Sequence, residues 1–332
     1  MTAQATRTGP GGPVTARIDA VTRIAPAWRR EDPPAPRAVK IELTGRCNYR
    51  CGFCALRTRV AQPTSDMDFG LFQRITREMR EAGVEEIGCF YLGESFMAPD
   101  LLARAIAWCK RELAFPYVFL TTNGSLCTPR RLREVLRAGL DSLKFSVNAA
   151  DDAQFASVMG VKAKNWRSAL QNLQAARAVR DEEGSACGIY ASSILYDGAQ
   201  RERMQGFLAE HVLPYVDEHY FLPLYSMGSV AAAREAELGY RPTAGNQGRI
   251  GALREPLPCW AVFTEGHVTA DGILSACCFD ADARWGMGDL RTAAFADAWR
   301  SPAFRRLRAA HLARDVRGTP CEACVAYAAA AD

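Results

Sequence analysis

The sequence predicts an α/β protein: six βα units forming a parallel barrel or open sheet, then a small C-terminal unit of hairpin and helices. Three observations carry this. Short apolar runs rich in Val, Ile, Phe and Tyr alternate with helical periodicity between about residues 39 and 224. Thr269-Ala270-Asp271-Gly272 separates two further apolar runs and reads as a tight hairpin turn. Composition also changes at residue 37, so the chain divides into 1–37, 38–250 and 251–332.

Residues 1–37 are dominated by Pro, Gly, Thr, Ala and Arg, with proline-rich stretches at 9–13 and 32–36. Proline removes backbone donors, so this part is expected to be a flexible leader or a strap over the surface. It is too short for a separate peptide-recognition domain. Strands follow at 39–43, 86–92, 117–121, 142–147, 188–194 and 219–224, as short runs suited to burial in a parallel sheet. Helices lie between them at 69–82, 100–113, 129–138, 166–181 and 201–210. The first has apolar residues at 71, 72, 75 and 79, one face of a helix. In the C-terminal unit, strands at 261–268 and 273–277 precede helices at 295–299 and 302–312. Chemistry in such a barrel belongs at the C-terminal ends of the strands.

Composition sets outer bounds. The 332 residues are 48% hydrophobic and 23% charged, ordinary for a globular protein. A net charge of +4 implies no nucleic-acid partner. No run of 18 apolar residues and no signal-peptide core is present, so a cytoplasmic protein without a membrane partner is expected. Twelve cysteines in such a chain argue for metal ligation over disulfides.

Cys47, Cys51 and Cys54 lie in a loop directly after the first strand. Three thiolates at this spacing can hold three irons of a cubane [4Fe–4S] cluster and leave the fourth open to a ligand. A zinc knuckle is the plain alternative, but zinc wants a fourth ligand and usually paired Cys-x₂-Cys units. The motif, Cys-x₃-Cys-x-aromatic-Cys after strand one, resembles the signature of the radical S-adenosylmethionine (radical SAM) enzymes. That resemblance implies a partial (β/α)₆ barrel and a cluster whose open iron is chelated by SAM. It also implies reductive cleavage of SAM to a 5′-deoxyadenosyl radical that abstracts a substrate hydrogen, with an external electron donor such as flavodoxin or ferredoxin.

Carried onto this chain, the resemblance places Phe53 against the adenine. Gly93 and Glu94 match the turn that contacts the SAM amino group, although Leu92 and Ser95 depart from the family's Gly and Pro. Thr122 and Asn123 fall in a Thr-Asn-Gly turn after the third strand. Ser146 and Asn148 match a Ser-x-Asp pair that contacts the ribose, with Asn replacing Asp. The family's following Arg is not evident, and Lys162 or Lys164 stands in its place.

Cys259, Cys277, Cys321 and Cys324 form a second group, Cys-x₁₂-Gly-x₄-Cys followed by Cys-x₂-Cys. This is similar to the twitch form of the SPASM domain, which implies one auxiliary [4Fe–4S] cluster with all four irons occupied. A zinc ribbon is the alternative on spacing alone. Cys89, Cys109, Cys127 and Cys187 are expected in the core. Cys278 follows a ligand and either packs in the small unit or donates hydrogen to a substrate radical. Glu218 and His219, placed by the run 217–225 at the open side of the barrel, are candidate proton acceptors against a plain strand edge. Arg300, Arg305, Arg306, Arg308 and Arg314 are expected on a solvated helix face.

Twitch-type relatives oxidise or epimerise sugars and cyclitols, so oxidation of a sugar, cyclitol or nucleotide sugar is the leading expectation, with the auxiliary cluster taking an electron. Epimerisation, decarboxylation or carbon–carbon bond formation on such a substrate are alternatives. Peptide maturation and a non-enzymatic, zinc-stapled binding protein are the others.

Overall fold

The computed structural model describes residues 12–54, 56, 65–225, 257–280, 283 and 285–324. Their strands form one nine-stranded sheet, ordered β6-β5-β4-β3-β2-β1-β7-β8-β9. Strands β1 (Ala38–Ile41), β2 (Glu86–Gly88), β3 (Tyr117–Thr122), β4 (Ser142–Ser146), β5 (Gly188–Ile194) and β6 (Glu218–Leu222) are all parallel, each beside its neighbour in sequence. These are the six expected strands. Several end earlier than the apolar run, because the chain leaves the sheet there to build loops.

The C-terminal unit is not set apart from this sheet. Strand β7 (Glu265–Val268) pairs in parallel with β1, and β8 (Ile273–Ser275) and β9 (Gly288–Asp289) continue antiparallel. The hairpin thus extends the barrel at the edge of β1. The boundary expected near residue 250 lies outside the described residues.

Helix α1 (Val14–Thr22) falls in the leader, whose proline content argued against helix. The nine residues contain no proline, and Val14, Ile18 and Val21 make an i, i+4, i+7 apolar stripe. Of flexible leader and strap, the described part is a strap. Val14 and Val21 are buried, each such side chain stabilising by roughly 1.5–3 kcal/mol. The stripe crosses the N-terminal ends of the barrel strands. Glu218, first residue of β6, accepts from the backbone N–H of Val14 at 2.6 Å and from the Thr15 hydroxyl. Arg17 pairs with Glu86, first in β2, at 2.5 Å and lies over the Tyr117 ring, first in β3.

Helices α2 (Phe69–Glu81), α3 (Pro99–Ala107) and α4 (Pro129–Ala138) follow the expected pattern, α3 widening into a π-helical turn over Trp108–Glu112. Helix α5 (Asp152–Met159) was not expected. It is short, starts where Asp151 accepts from Gln154 N–H at 2.7 Å, and stops at Gly160 with φ 64°. Helices α6 (Ala163–Glu182), α7 (Gly198–His211), α8 (Phe295–Trp299) and α9 (Pro302–Leu312) complete the described set.

Strand alternation divides the barrel wall. Val39, Ile41 and Leu43 join Phe72, Ile75 and Met79 of α2 in the main apolar core. The opposite faces bound an interior cavity lined by Lys40, Phe90, Phe119, Lys144, Tyr220, Tyr225 and Glu265, with Arg17 and Ile18 of α1 at its floor. Cys89, Cys109, Cys127 and Cys187 are buried in the core as expected.

The arginine reading needs one correction. Arg308 is fully buried, stacked on Trp299 and Phe304, and donates to the carbonyls of Val262, Trp299 and Glu31. It ties the leader to the C-terminal unit, and burial pulls its pKa down to about 9. Helical spacing alone could not separate it from its exposed neighbours. No described helix is long and apolar enough to cross a membrane.

Candidate active site

The cysteine loop leaves β1 and is clamped from two sides. From α5, Met159 and Val158 carbonyls accept the N–H groups of Arg50 and Gly52 at 3.0 and 2.9 Å. Tyr49 packs edge-on against Phe155 and donates to the Asn165 carbonyl. From the loop after β2, Glu94 N–H donates to the Arg46 carbonyl at 2.9 Å. A Cβ on Gly93 would stand 1.9 Å from the Thr44 carbonyl oxygen. Only glycine permits this approach, so the Gly93-Glu94 turn is packed directly on the cysteine loop.

Cys47 stands near Cys54, Glu94 and Asn123, and burial pushes its thiol up to about 12. Cys51 Sγ lies 3.3 Å from Met159 Sδ. Phe53, between the last two cysteines, is half-buried against the core. Burial disfavours the Cys47 thiolate, and a metal bound there would supply the charge that favours it.

Glu94 is buried and accepts three hydrogen bonds. One oxygen accepts from Thr122 Oγ1 at 2.9 Å and Phe96 N–H at 3.1 Å, the other from Asn123 N–H at 2.7 Å. A carboxylate has about four acceptor positions, so these leave room for one more donor. Burial holds its pKa above the ordinary carboxylate range, and a bound ammonium would reverse that. Asn123 also bonds Asn48 beside Cys47, at 2.9 Å. Thr122 therefore orients Glu94 instead of pointing at a ligand.

Ser146 ends β4, half-exposed. Asn148 is tied down: its Oδ1 accepts from Ile194 N–H at 3.0 Å, leaving its amide N–H₂ for other partners. Lys162 and Lys164 are exposed at the start of α6, near Asn165 and hence Tyr49.

Two candidates are displaced. Glu218 begins β6, so it lies at the closed floor under α1, away from the strand C-termini. His219 alternates away from the cavity that Tyr220 and Leu222 line, and bonds Ser193 Oγ at 2.9 Å. Burial lowers its pKa to about 4. Neither lines the barrel cavity. The sequence run 217–225 gave no sign of where the strand would begin.

The second thiol group assembles from three separate segments. Cys321 lies within electrostatic reach of Cys259 and Cys324, and Cys277 within reach of Cys321 and Cys278. Burial raises the pKa of both Cys277 and Cys321. Among the described residues no three metal-ligating side chains close to the spacing of a single ion. His311, on α9, is fully buried between them: Cys259 N–H donates to its Nδ1 at 3.1 Å, and its Nε2 lies 3.2 Å from Cys321 Sγ. Sequence reasoning missed His311, whose one signal was its place ten residues before Cys321.

Cys278 parts company with Cys277. It stands beside His267 and Tyr91, at the junction with the barrel. The Tyr91 hydroxyl donates to the Cys277 carbonyl at 3.0 Å and its ring meets His267 at 5.3 Å. His267 Nε2 is 3.1 Å from Glu265 Oε2, close but poorly aligned for a hydrogen bond, and Glu265 Oε1 pairs with Lys40 Nζ at 2.7 Å. Burial opposes charge on His267, yet Glu265 and Cys278 beside it raise its pKa on balance. A buried polar chain thus runs from the cavity wall to the second thiol group.

Fold and site together describe a barrel with two thiol-rich centres, one in the loop after β1 and the other in the C-terminal unit. Residues 41–189 match the family model of the radical SAM superfamily, and 259–325 match SPASM, an iron–sulfur cluster-binding domain. The chain thus carries a radical SAM domain followed by a C-terminal SPASM domain, a domain pair that uses SAM and [4Fe–4S] clusters as cofactors. It is 37% identical over 95 residues to the S-adenosylmethionine-dependent nucleotide dehydratase RSAD2 of Danio rerio, covering 27% of this chain and 25% of that protein. The chain thus spans about a quarter of that curated relative. Among solved structures it is similar to SuiB of Streptococcus suis bound to precursor peptide SuiA, with TM-score 0.63, 13% identity and coverage of 94% and 72% of the two chains. It is also similar to BtrN in complex with AdoMet and 2-DOIA, with TM-score 0.52, 17% identity and coverage of 83% and 86%. These two likenesses are of fold.

Proposed function

We propose that this enzyme oxidises an alcohol carbon of a sugar, cyclitol or nucleotide sugar bound inside the barrel, with the electron leaving toward the C-terminal thiol group. Cys47, Cys51 and Cys54 would hold the catalytic cluster; Cys259, Cys277, Cys321 and Cys324 would hold the auxiliary one. Bound together, the first cluster and SAM supply a 5′-deoxyadenosyl radical that removes one hydrogen atom from substrate carbon.

The observation that carries the reading is the cavity itself. It is floored by α1, walled by Lys40, Lys144, Glu265 and aromatic rings, and adjoins the chain leading to Cys277. A closed floor and charged wall suit a compact polar substrate. Glu94 and Gly93 would hold the SAM ammonium, with Asn123 and Thr122 fixing Glu94. Phe53, Ser146 and Asn148 would contact the nucleoside.

Conversion of an alcohol radical to a ketone releases one proton and one electron. Of the described carboxylates lining the cavity, Glu86 and Glu265 both stand level with Ala38 at the strand starts; Glu86 pairs with Arg17 of α1, Glu265 pairs with Lys40, and His267 lies beside Glu265. Glu265, which adjoins the chain leading to Cys277, would take the hydroxyl proton, in the role the sequence had offered to Glu218 and His219. If Cys278 reaches the substrate instead, it would return a hydrogen atom and the outcome is epimerisation. A one-electron donor of the flavodoxin or ferredoxin type would reduce the catalytic cluster.

The test is an anaerobic screen of reduced, reconstituted protein with SAM against sugars, cyclitols, nucleotide sugars and peptides, reading 5′-deoxyadenosine. A product lighter by two mass units supports oxidation; solvent deuterium on carbon supports epimerisation through Cys278. Turnover of peptides alone sinks the sugar reading. Zinc bound without iron sinks the whole proposal.

A further inference from the structure

We infer that His311 is a positioning residue of the auxiliary centre, donating its Nε2–H to the Cys321 sulfur and so shifting the cluster's reduction potential upward. The inference rests on Cys259 and Cys321 being cluster ligands. A neutral imidazole carries one N–H, and its site is set by what the other nitrogen does. Here Nδ1 accepts the Cys259 backbone N–H at 3.1 Å, so the proton resides on Nε2. That nitrogen lies 3.2 Å from Cys321 Sγ. A metal-bound sulfur has no proton to give, which fixes the direction of the bond as nitrogen to sulfur.

One ring thus fixes two ligands from segments 62 residues apart, the first through its backbone and the third through its sulfur. Its placement is rigid: His311 is fully buried in the last turn of α9 and packs edge-on to Phe263. The ring end of the bond lies in low-dielectric surroundings, which strengthens its electrostatic effect. A hydrogen bond to a ligand sulfur withdraws charge and favours the reduced cluster. An upward shift suits a centre that accepts an electron from substrate.

The experiment uses the full chain with Cys47, Cys51 and Cys54 replaced by Ala, which isolates the auxiliary cluster. Redox titration followed by electron paramagnetic resonance (EPR) compares it with His311→Leu and His311→Gln. In His311→Leu, at the parent's midpoint potential, the ratio of reduced to oxidised cluster should fall about tenfold, a one-electron shift of about 59 mV. His311→Gln, which keeps a donor and an acceptor, should recover part of that shift. An unchanged potential at full iron content overturns the inference. Should His311→Leu fail to fold, the parent labelled with ¹⁵N-histidine decides. A weak nitrogen coupling to the reduced cluster supports the hydrogen bond; no coupling, or the strong coupling of a directly bound imidazole, overturns it. A parent without auxiliary iron refutes the ligand assignment itself, whereas a parent with iron and no coupling refutes only the role of His311.

Discussion

Glu42 and Ala270, 228 positions apart in sequence, are joined by a hydrogen bond of 3.2 Å from the Ala270 N–H to Glu42 Oε2. The other oxygen of the same buried carboxylate accepts from Gly93 N–H, also at 3.2 Å. One side chain at the end of β1 therefore holds both the turn assigned to SAM and the hairpin of the SPASM domain.

Glu42→Leu leaves two N–H groups without this acceptor, at about 1–3 kcal/mol each when buried. The expected result is a loss of at least about 2 kcal/mol in chemical denaturation, together with weaker SAM binding by calorimetry. Unchanged SAM affinity at lowered stability would show that the bridge is structural alone.

Gly93→Ala places a methyl where the Thr44 carbonyl oxygen already stands. The turn and the cysteine loop must then separate. Reductive cleavage of SAM should fall at least about a hundredfold, an effect of the size a 1 Å misplacement can produce. Monitoring iron content in parallel tells whether the cluster survives the shift.

Replacing Cys47, Cys51 and Cys54 together by Ala should lower anaerobically reconstituted iron from about eight to about four per chain, since each cubane holds four. Replacing Cys259, Cys277, Cys321 and Cys324 should remove the other four and leave SAM cleavage measurable. Iron and sulfide analysis reads both outcomes.

Lys40 and Glu265 are both buried and pair at 2.7 Å. Lys40→Met strands the carboxylate and should destabilise by roughly 3–5 kcal/mol. Adding Glu265→Gln should restore much of that, because the double variant has no buried charge to solvate. The single Glu265→Gln variant should still cleave SAM but lose substrate oxidation.

His219 has its pKa lowered from 6.5 to about 4 by burial. Between those values the unfolded chain binds the proton that the folded chain refuses, so stability falls as pH drops from about 6.5 toward 4. At about 1.4 kcal/mol per unit the full loss is roughly 3 kcal/mol. His219→Gln should flatten that part of the pH profile relative to the parent in the same cluster state, and an unchanged slope would assign it to other groups.

The barrel strands and the outer helices were readable because each depends on local periodicity, as in α4, whose limits match Pro129–Ala138 residue for residue. The first cysteine set stood out because its spacing is local, whereas the second, spread over three segments, was named from a resemblance. What escaped was set by register and tertiary packing. Whether His219 or Tyr220 faces the cavity is decided by one residue of register, which flips every side chain of β6. Glu265 and Lys40 looked like ordinary strand charges, since only the parallel pairing of β7 with β1 brings them together. Helix α1 hid within a proline-rich leader because composition was averaged over a stretch that contains nine proline-free residues.

That helix also sets a clock. Its partner Glu218 lies 204 residues further along the chain, and the carbonyl of Glu31 waits 277 positions for Arg308. At roughly 5–20 residues per second, a ribosome needs about 10–40 seconds to deliver Glu218 after Val14 has emerged. Throughout that interval the base of the forming barrel is unsealed. Helix α1, made before any of the six barrel strands, is thus among the last elements to dock, and the finished floor certifies that the sixth strand has arrived.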